Sequence, residues 1–299
     1  MDRRNALQFL AAAAGALVLP RPALAQASSL SRAVPATGER IPAIGLGTWI
    51  AFDVGDEAAA RRQRAEVLRA FLAAGGKLVD SSPMYGRSEE VIGATMPPNA
   101  GLFSATKVWT VGGLAGRRQM EASRELWRVK RFDLMQVHNF LDWETHLPTL
   151  RAMKADGRVR YIGVTTSHGR RHDLAERIMK NEKIDFVQFT YNINEREVER
   201  DLLPIAAERG VAVIINRPFD GGSMFGAKTA RPLPGWAKEI DCRSWAEAFL
   251  RFVVSHPAVT CAIPATSQPA HLAENMRALA GAPLDKAMRE RIAADYARL

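Results

Sequence analysis

Short apolar runs alternate with longer segments of helical periodicity along most of the chain. The runs are almost uninterrupted by polar residues, which is typical of parallel strands that are buried on both faces. Between them apolar residues recur with the period of a helix, as where Val67, Leu68 and Phe71 share one face before a terminating glycine pair. The pattern predicts eight strands, at residues 44–46, 78–79, 102–105, 134–137, 161–164, 186–189, 211–215 and 259–263.

Eight strands that alternate with helices predict an α/β protein with one domain, a closed (β/α)8 TIM barrel. The alternative is an open doubly wound sheet. It is disfavoured because the chain has no GxGxxG motif and its "GLGTW" stretch does not lead directly into a phosphate-binding helix. We expect a short hairpin around residues 36–41 to cap the bottom of the barrel, and a final helix within 285–299.

The N-terminal segment differs in composition from the rest of the chain. Arg3 and Arg4 precede an apolar run over residues 9–19, and a small-residue pattern ends at Ala25. The run is shorter than the roughly 20 residues of a membrane span. The paired arginines resemble a twin-arginine (Tat) signal more than an ordinary secretory signal or a retained anchor, so we expect export by that machinery to a bacterial periplasm. The predicted segments are a signal peptide over 1–25, a linker over 26–35 and the barrel over 36–299.

Charge and cysteine content limit the possible partners. The formal net charge is +9, but the basic residues are scattered among alanines and glutamates on predicted helices. Because no basic stripe is interleaved with aromatic residues, we expect no nucleic-acid partner. Cys242 and Cys261 are either two core thiols or a disulfide pair, and sequence spacing alone does not decide between them. No Cys or His spacing predicts a metal site.

Four polar side chains stand near the ends of three successive predicted strands, where (β/α)8 barrels carry their active sites. They are Asp80, Tyr85, Lys107 and His138. Each residue alone has an ordinary alternative role, but together they can act as one acid–base unit in which each group serves another. A Lys107 ammonium is expected to lower the pKa of Tyr85 from about 10, with Asp80 as counter-ion. With His138 bonding a substrate oxygen, the set predicts carbonyl reduction by hydride from a separate cofactor.

Several motifs at strand ends occur in a familiar order along the mature chain. They are "GLGTW", "VDSSPMYG", "SATKVW", "LMQVHN", "RYIGVT", "VQFTYN" and "IPATSQPAHLAEN". In these the chain resembles the aldo-keto reductase superfamily. The resemblance implies a catalytic tetrad of Asp80, Tyr85, Lys107 and His138, with Tyr85 as general acid. It also implies an NADPH or NADH cofactor, with NADPH favoured, that lies extended across the mouth of the barrel.

The same resemblance implies the positions that hold the cofactor and the substrate. The chain departs from the family pattern at three places: Thr165 and Thr166 replace a Ser-Asn pair, Asn216 replaces a stacking tyrosine, and Ala265 and His271 stand where the family often has a lysine and an arginine for the 2′-phosphate of NADPH. The helix after the last strand is expected to hold phosphate and adenosine at its N-terminus. The cofactor positions are Gly47, Thr48, Trp49, Thr165, Thr166, Gln188, Asn216, Arg217, Thr266, His271, Glu274 and Asn275. The candidate substrate contacts are Trp49, Met84, Trp109 and Phe140.

Two functions of different class are compatible with these residues. The first is an NAD(P)H-dependent reductase of a small-molecule aldehyde or ketone, and the second is a low-turnover nicotinamide-nucleotide-binding protein with a redox-sensing or interaction role. The complete tetrad favours the enzyme. A metal-dependent hydrolase is disfavoured because it needs clustered strand-end ligands, and His138 is the one histidine at such a position.

Overall fold

The computed structural model describes residues 29–97 and 100–299, so the predicted signal peptide lies outside the described residues. Eight parallel strands pair in chain order, and bridges from Ile44 to Ala262 and from Gly47 to Ala265 join the first of them to the last. The sheet is therefore closed, and the predicted barrel is confirmed. The strands are β1 Ser31–Ala33 and β2 Arg40–Pro42 in a hairpin, then β3 Leu46–Gly47, β4 Leu78–Asp80, β5 Phe103–Val108, β6 Phe132–Val137, β7 Val159–Thr165, β8 Phe186–Thr190, β9 Ala212–Asn216 and β10 Cys261–Ala262.

The helices form the outer layer of the barrel, as the periodicity predicts. The side chain of Ser244 caps the eighth of them by accepting from the Glu247 amide at 3.2 Å, and Asp285 caps the predicted final helix by accepting from Met288 at 2.8 Å. The helices are α1 Ala58–Ala73, α2 Ser88–Thr95, α3 Gly113–Trp127, α4 Trp143–Ala155, α5 His172–Asn181, α6 Leu202–Arg209, α7 Trp236–Glu239, α8 Trp245–Val254, α9 Pro269–Arg277 and α10 Lys286–Ala297.

The hydrophobic core has two parts because each barrel strand is buried on both faces. A large cluster lies between the strands and the helices. A smaller cluster fills the barrel interior with side chains that alternate with the outer ones along each strand. Its larger members are Phe103, Leu134, Tyr161, Phe186 and Ile214. They pack the lower part of the barrel, so the free space lies at the carboxyl ends of the strands.

The hairpin of β1 and β2 closes the bottom of the barrel. Val34 and Ile41 are fully buried and belong to the interior cluster, and the Thr37 hydroxyl lies 2.7 Å from the Tyr161 hydroxyl. This confirms the predicted cap. The strand β1 lies within residues that we predicted as linker, because its backbone finds partners in β2. The hairpin that caps the barrel therefore begins before residue 36.

Two other features bear on the sequence-based expectations. Cys242 and Cys261 are both buried free thiols, which decides between the two alternatives left open above. Among the described residues, no helix combines the length and the apolar character that crossing a membrane requires.

A close approach between α2 and α3 fixes the segment that follows the Tyr85 loop. A Cβ atom on Gly93, in α2, would lie 1.8 Å from the carbonyl oxygen of Leu126 in α3. The two backbones therefore touch at a point that admits no side chain. The contact sets how deeply α2 sits against the barrel.

We predict that Gly93→Ala lowers the free energy of unfolding by about 3 kcal/mol, because the added methyl group forces two helix backbones apart. Chemical denaturation followed by circular dichroism measures the change. The matched control is Gly235→Ala, where a Cβ atom meets nothing within 4 Å. The control is expected to stay within about 0.5 kcal/mol of the parent protein. Equal stability of the two variants would contradict the close contact.

Candidate active site

A buried ion pair lies at the centre of the site. Lys107 is fully buried, and its Nζ atom donates to Asp80 Oδ2 at 2.5 Å and to the Ser81 carbonyl oxygen at 2.8 Å. Asp80 is the last residue of β4, as predicted, but Lys107 lies inside β5, which continues to Val108. Its side chain points into the barrel, away from bulk water.

The second carboxylate oxygen of Asp80 accepts hydrogen bonds from two buried side-chain amides. The Nε2 atoms of Gln136 and Gln188 each donate to Asp80 Oδ1 at 3.1 Å, and the Thr48 hydroxyl donates to its backbone oxygen at 2.9 Å. Gln136 was not predicted. The sequence feature that indicates its role is an amide inside an apolar strand, two residues before His138 and hence on the same face of the strand. A buried amide at such a position needs a partner, and here the partner is Asp80.

The charge of the lysine is retained despite its burial. Burial alone lowers the pKa of Lys107, but the neighbouring Asp80 and Tyr85 more than compensate, and the pKa lies above its ordinary value. Lys107 is therefore an ammonium at neutral pH. Its Nζ atom lies 4.9 Å from the centroid of the Tyr85 ring.

Tyr85 lies between this ammonium and His138. Its ring packs edge-on against the His138 ring, with centroids 5.7 Å apart. Burial raises the pKa of Tyr85 above its ordinary value, and the Lys107 charge offsets that increase only in part. The predicted net lowering of this pKa is wrong for the protein as it stands. Tyr85 is thus a protonated phenol at neutral pH, and Lys107 is placed to stabilise the anion that forms when the proton leaves.

His138 is a neutral imidazole whose orientation is set by a serine. Burial, with a contribution from Lys107, lowers the pKa of His138 to about 2. Its Nδ1 atom lies 2.8 Å from Ser82 Oγ, which accepts from the Met84 amide at 3.1 Å. The Ser82 hydroxyl has no other acceptor in the described part of the chain, so it donates to Nδ1. The imidazole hydrogen then lies on Nε2.

A cavity of about 920 Å³ opens above these groups. Tyr85 and His138 line one part of it, and the residues around the start of α9 line another. Thr48 differs from the other predicted cofactor positions, because it is buried beneath the cavity on the Asp80 backbone. The predicted cofactor positions that line the cavity are Gly47, Trp49, Thr165, Thr166, Gln188, Asn216, Arg217, Thr266, His271, Glu274 and Asn275.

Asn216 connects three strand ends through its side-chain amide. Its Nδ2 atom donates to the Thr166 carbonyl oxygen at 2.8 Å and to Gln188 Oε1 at 3.4 Å. Its Oδ1 atom accepts from the Thr190 hydroxyl at 2.7 Å. Because Gln188 also holds Asp80, a continuous set of hydrogen bonds runs from Asn216 to the ion pair. The asparagine thus provides rigidity at a place where an aromatic residue would provide a stacking face.

The four candidate substrate residues fall into two groups. Trp49 and Met84 line the cavity and are 43% and 42% exposed, so they form an apolar rim. Trp109 is exposed but does not line the cavity, and Phe140 is 2% exposed and packs in the outer core. The prediction of Phe140 as a substrate contact is therefore wrong, because its ring turns between the strands and the helices. Other large apolar residues that line the cavity are Ile50, Phe219, Phe225, Trp245 and Ile263.

A second buried acid supports the Tyr85 loop from behind. The Glu89 carboxylate, in the first turn of α2, accepts from the Thr106 hydroxyl at 2.5 Å, the Ser123 hydroxyl at 2.8 Å and Trp127 Nε1 at 3.0 Å. Burial raises the pKa of Glu89 despite these donors. Because Thr106 precedes Lys107 in β5, Glu89 ties the helix after Tyr85 to the strand that carries the ammonium. The sequence showed only an acid in a first helical turn.

Within the described residues, no three or more His, Cys, Asp or Glu side chains are placed to hold a metal ion.

We predict that His138 makes stability fall in mild acid. Its native-state pKa, about 2, lies below the unfolded value of about 6.5, so the unfolded chain takes up the proton first. The contribution is complete above pH 6.5 and is lost as pH falls toward 2, by up to about 1.4 kcal/mol per pH unit. Unfolding free energies at pH 7 and pH 5 measure it.

His138→Asn is expected to reduce that pH dependence, whereas His271→Asn, at an exposed histidine, leaves it unchanged. An equal pH dependence in His138→Asn and in the parent protein would contradict the neutral buried imidazole.

Known proteins are similar to this chain in both sequence and fold. The chain is 26% identical over 247 residues to the methylglyoxal reductase YeaE of Escherichia coli, which covers 80% of this chain and 86% of that protein. It is 26% identical over 232 residues to the NADH-specific methylglyoxal reductase of the same organism, with 65% and 69% covered.

Solved structures give the same picture. A thermostable aldo-keto reductase, Tm1743, in complex with the inhibitor epalrestat, superposes with a TM-score of 0.75 at 29% identity over 89% of this chain and 99% of that one. An aldo-keto reductase from Klebsiella pneumoniae in complex with NADPH superposes with a TM-score of 0.73 at 24% identity over 87% and 92%. The model of the aldo/keto reductase family matches residues 43–296. The chain therefore belongs to the aldo/keto reductase family.

Proposed function

We propose that this protein is an NAD(P)H-dependent oxidoreductase that reduces an aldehyde or ketone to an alcohol. The observation that carries the proposal is one geometric unit at one end of the cavity. There a protonated Tyr85 lies between the Lys107 ammonium and a neutral His138, with Asp80 holding the lysine. A proton donor beside a group that binds a carbonyl oxygen is what carbonyl reduction requires of a protein.

The residues of the cavity fit a nicotinamide dinucleotide. Thr166, Gln188 and Asn216 present polar groups beside the catalytic unit, where they would hold the nicotinamide end. Arg217 lines the cavity with a buried Nε atom that has no hydrogen-bond partner among the described residues, and α9 begins there without a side-chain cap. A free guanidinium nitrogen and uncapped helix amides are the groups that bind a pyrophosphate. When bound, the reduced cofactor supplies the hydride.

The chain's own residues perform the proton chemistry. The His138 Nε2 hydrogen bonds the carbonyl oxygen of the substrate and orients it, and it does so at all working pH values because the ring stays neutral. The Tyr85 hydroxyl then gives its proton to the same oxygen as negative charge develops there. The Lys107 ammonium stabilises the resulting tyrosinate, and Asp80 keeps the lysine in place.

The rim of the cavity indicates an apolar substrate. Trp49, Ile50, Met84 and Phe225 are among the few large apolar side chains that remain exposed, and all four line the cavity. An apolar or aromatic carbonyl compound would cover them and exclude water from the proton donor. Two relatives named as methylglyoxal reductases add small dicarbonyl compounds to the panel of substrates to assay.

The low-turnover binding protein is the less favoured alternative. A protein that only senses nucleotide has no use for an ammonium buried at the cost of several kcal/mol beside a phenol. The arrangement of Lys107 and Tyr85 therefore argues for catalysis.

The compartment is a separate proposal, which rests on sequence alone. The paired Arg3 and Arg4, the apolar run over 9–19 and the small-residue pattern ending at Ala25 support export through the twin-arginine pathway. A pathway that carries folded proteins suits a barrel whose catalytic ion pair forms only on folding. The protein would then acquire its nucleotide before export.

We predict that Tyr85→Phe lowers kcat for carbonyl reduction by about 10²–10⁴-fold, because the proton donor is lost while the ring remains. Steady-state assays of nucleotide oxidation over the carbonyl panel measure the loss. Tyr161→Phe is the matched control, since it removes a phenol hydroxyl at the closed bottom of the barrel and should leave kcat unchanged. If the parent protein and Tyr85→Phe turn over equally, the proposed role of Tyr85 is wrong.

We predict that replacing Arg3 and Arg4 together by lysine blocks export, because the twin-arginine pathway recognises the guanidinium pair and not charge alone. Cell fractionation and immunoblotting of the parent and variant chains measure the distribution. A variant in which residues 1–25 are kept but Arg21 becomes lysine is the control. Unchanged export of the Arg3 and Arg4 variant would count against this pathway.

A further inference from the structure

A second cavity lies on the outer side of the barrel, apart from the active site. It has a volume of about 610 Å³, and none of its lining residues lines the first cavity. Phe132 and Val159, the first residues of β6 and β7, form part of its wall, so it lies toward the amino ends of the strands. The catalytic groups lie at the carboxyl ends. An occupant of the second cavity would therefore not compete with the cofactor.

The charged side chains that line this second cavity are almost all cations. One acid and five cations contribute to the lining, and they are Glu121, Arg117, Arg124, Lys130, Arg131 and Arg158. By contrast, Arg217 is the single lysine or arginine among the described residues that line the first cavity. Like charges around a concave surface repel one another, and low-dielectric walls concentrate their field on an approaching anion. The second cavity therefore favours an anionic ligand.

Two of the five cations have an acidic partner, and three do not. Arg124 Nε donates to the two carboxylate oxygens of Glu121 at 2.9 and 3.0 Å. Arg158 Nη2 donates to Asp156 Oδ2 at 3.0 Å. The cations that make no ion pair or side-chain hydrogen bond within residues 29–97 and 100–299 are Arg117, Lys130 and Arg131. An unpaired guanidinium presents a planar fork of donors that fits the oxygens of a carboxylate or a phosphate.

These cations come from separate parts of the chain. Arg117 and Arg124 are seven residues apart and share one face of α3. Lys130 and Arg131 follow that helix, and Arg158 directly precedes β7. The fold brings them to one cavity, which their scattered positions in the sequence do not show.

The floor of the second cavity is apolar. Met120, Met135 and Met153 contribute to it from α3, β6 and α4, beside Phe132. All four are buried members of the large outer core. Methionine side chains are unbranched and flexible, so they adapt to the shape of a neighbouring group. An occupant with an apolar body over this floor and anionic groups at the rim would match both parts of the lining.

We propose that the second cavity binds a multivalent organic anion, in which carboxylate or phosphate groups surround an apolar body. The three unpaired cations, Arg117, Lys130 and Arg131, each take up an anionic group, and the methionines contact the body of the ligand. A small molecule suits the site better than the flat surface of an anionic membrane, because the floor lies inside a concave surface. The inference does not depend on the proposed function, since no catalytic residue lines this cavity.

Direct binding of trimellitate, a benzene tricarboxylate, to the full chain tests the proposal. Isothermal titration calorimetry at low ionic strength is expected to show saturable binding of one molecule, with a dissociation constant of about 0.1–1 mM. Raising the ionic strength to about 0.15 M should weaken binding several-fold, because salt screens exposed charges. Citrate has equal charge but no apolar ring, so we expect it to bind about 5-fold more weakly.

Two double variants assign the binding to the second cavity. Arg117→Gln with Arg131→Gln removes two unpaired cations and should weaken trimellitate binding at least about 10-fold. Arg118→Gln with Arg128→Gln is the matched control, because both arginines are exposed in the same stretch of chain but do not line the cavity. The control lowers the net charge equally and should change binding less than about 2-fold. Circular dichroism and thermal unfolding check that both variants are folded.

Several results would overturn the proposal. One is the absence of saturable binding up to about 10 mM trimellitate. Another is equal weakening in the two double variants, which would show that net charge attracts the anion. Binding of phosphatidylglycerol vesicles without binding of trimellitate would assign the cations to a membrane surface. Loss of trimellitate binding in Arg217→Gln would place the anion in the first cavity. Carbonyl reduction is assayed separately, so none of these results decides the proposed function.

Discussion

The site depends on one buried ion pair, Lys107 with Asp80. Removing an ammonium and a carboxylate from water costs several kcal/mol each, and their attraction repays this only when the remaining polar atoms are also satisfied. Here the satisfaction comes from the Ser81 carbonyl and from the amides of Gln136 and Gln188. The partners lie on β4, β5, β6 and β8 or directly after them, so the pair forms only when the barrel closes. The catalytic centre is therefore part of the barrel interior.

Three neighbouring titratable groups hold different protonation states because their surroundings differ. Burial disfavours charge on all of them, but only Lys107 has a carboxylate within bonding distance, so only Lys107 stays charged. His138 is forced neutral, and Tyr85 keeps its proton. One fixed charge beside a neutral hydrogen-bond donor and a protonated acid is an arrangement suited to proton transfer to an oxygen. The lysine acts mainly on the product of that transfer, when its neighbour becomes an anion.

The predictability of the site follows from the architecture. In a (β/α)8 barrel the residue that ends each strand must face the mouth, so Asp80 and His138 could be placed from the strand pattern. The sequence places Gln136 on the same face as His138, but it does not show that Gln136 and Ser82 bond to Asp80 and His138, because these partners lie on other strands. Phe140 was misplaced for a related reason: hydrophobicity shows that a ring is buried, but does not show whether it turns toward the cavity or toward the helices.

The sequence by itself determined the order of strands and helices, the closed barrel and the identity of the acid–base groups, because alternation and spacing are local properties. It also contains the N-terminal pattern on which the proposal of export rests. Only the tertiary structure decided the protonation states, the neutral and oriented His138, and the hydrogen bonds from Gln136 and Gln188 that hold Asp80. These depend on burial and on distances between residues far apart in the chain, and a linear pattern does not encode which side chains will share one low-dielectric pocket.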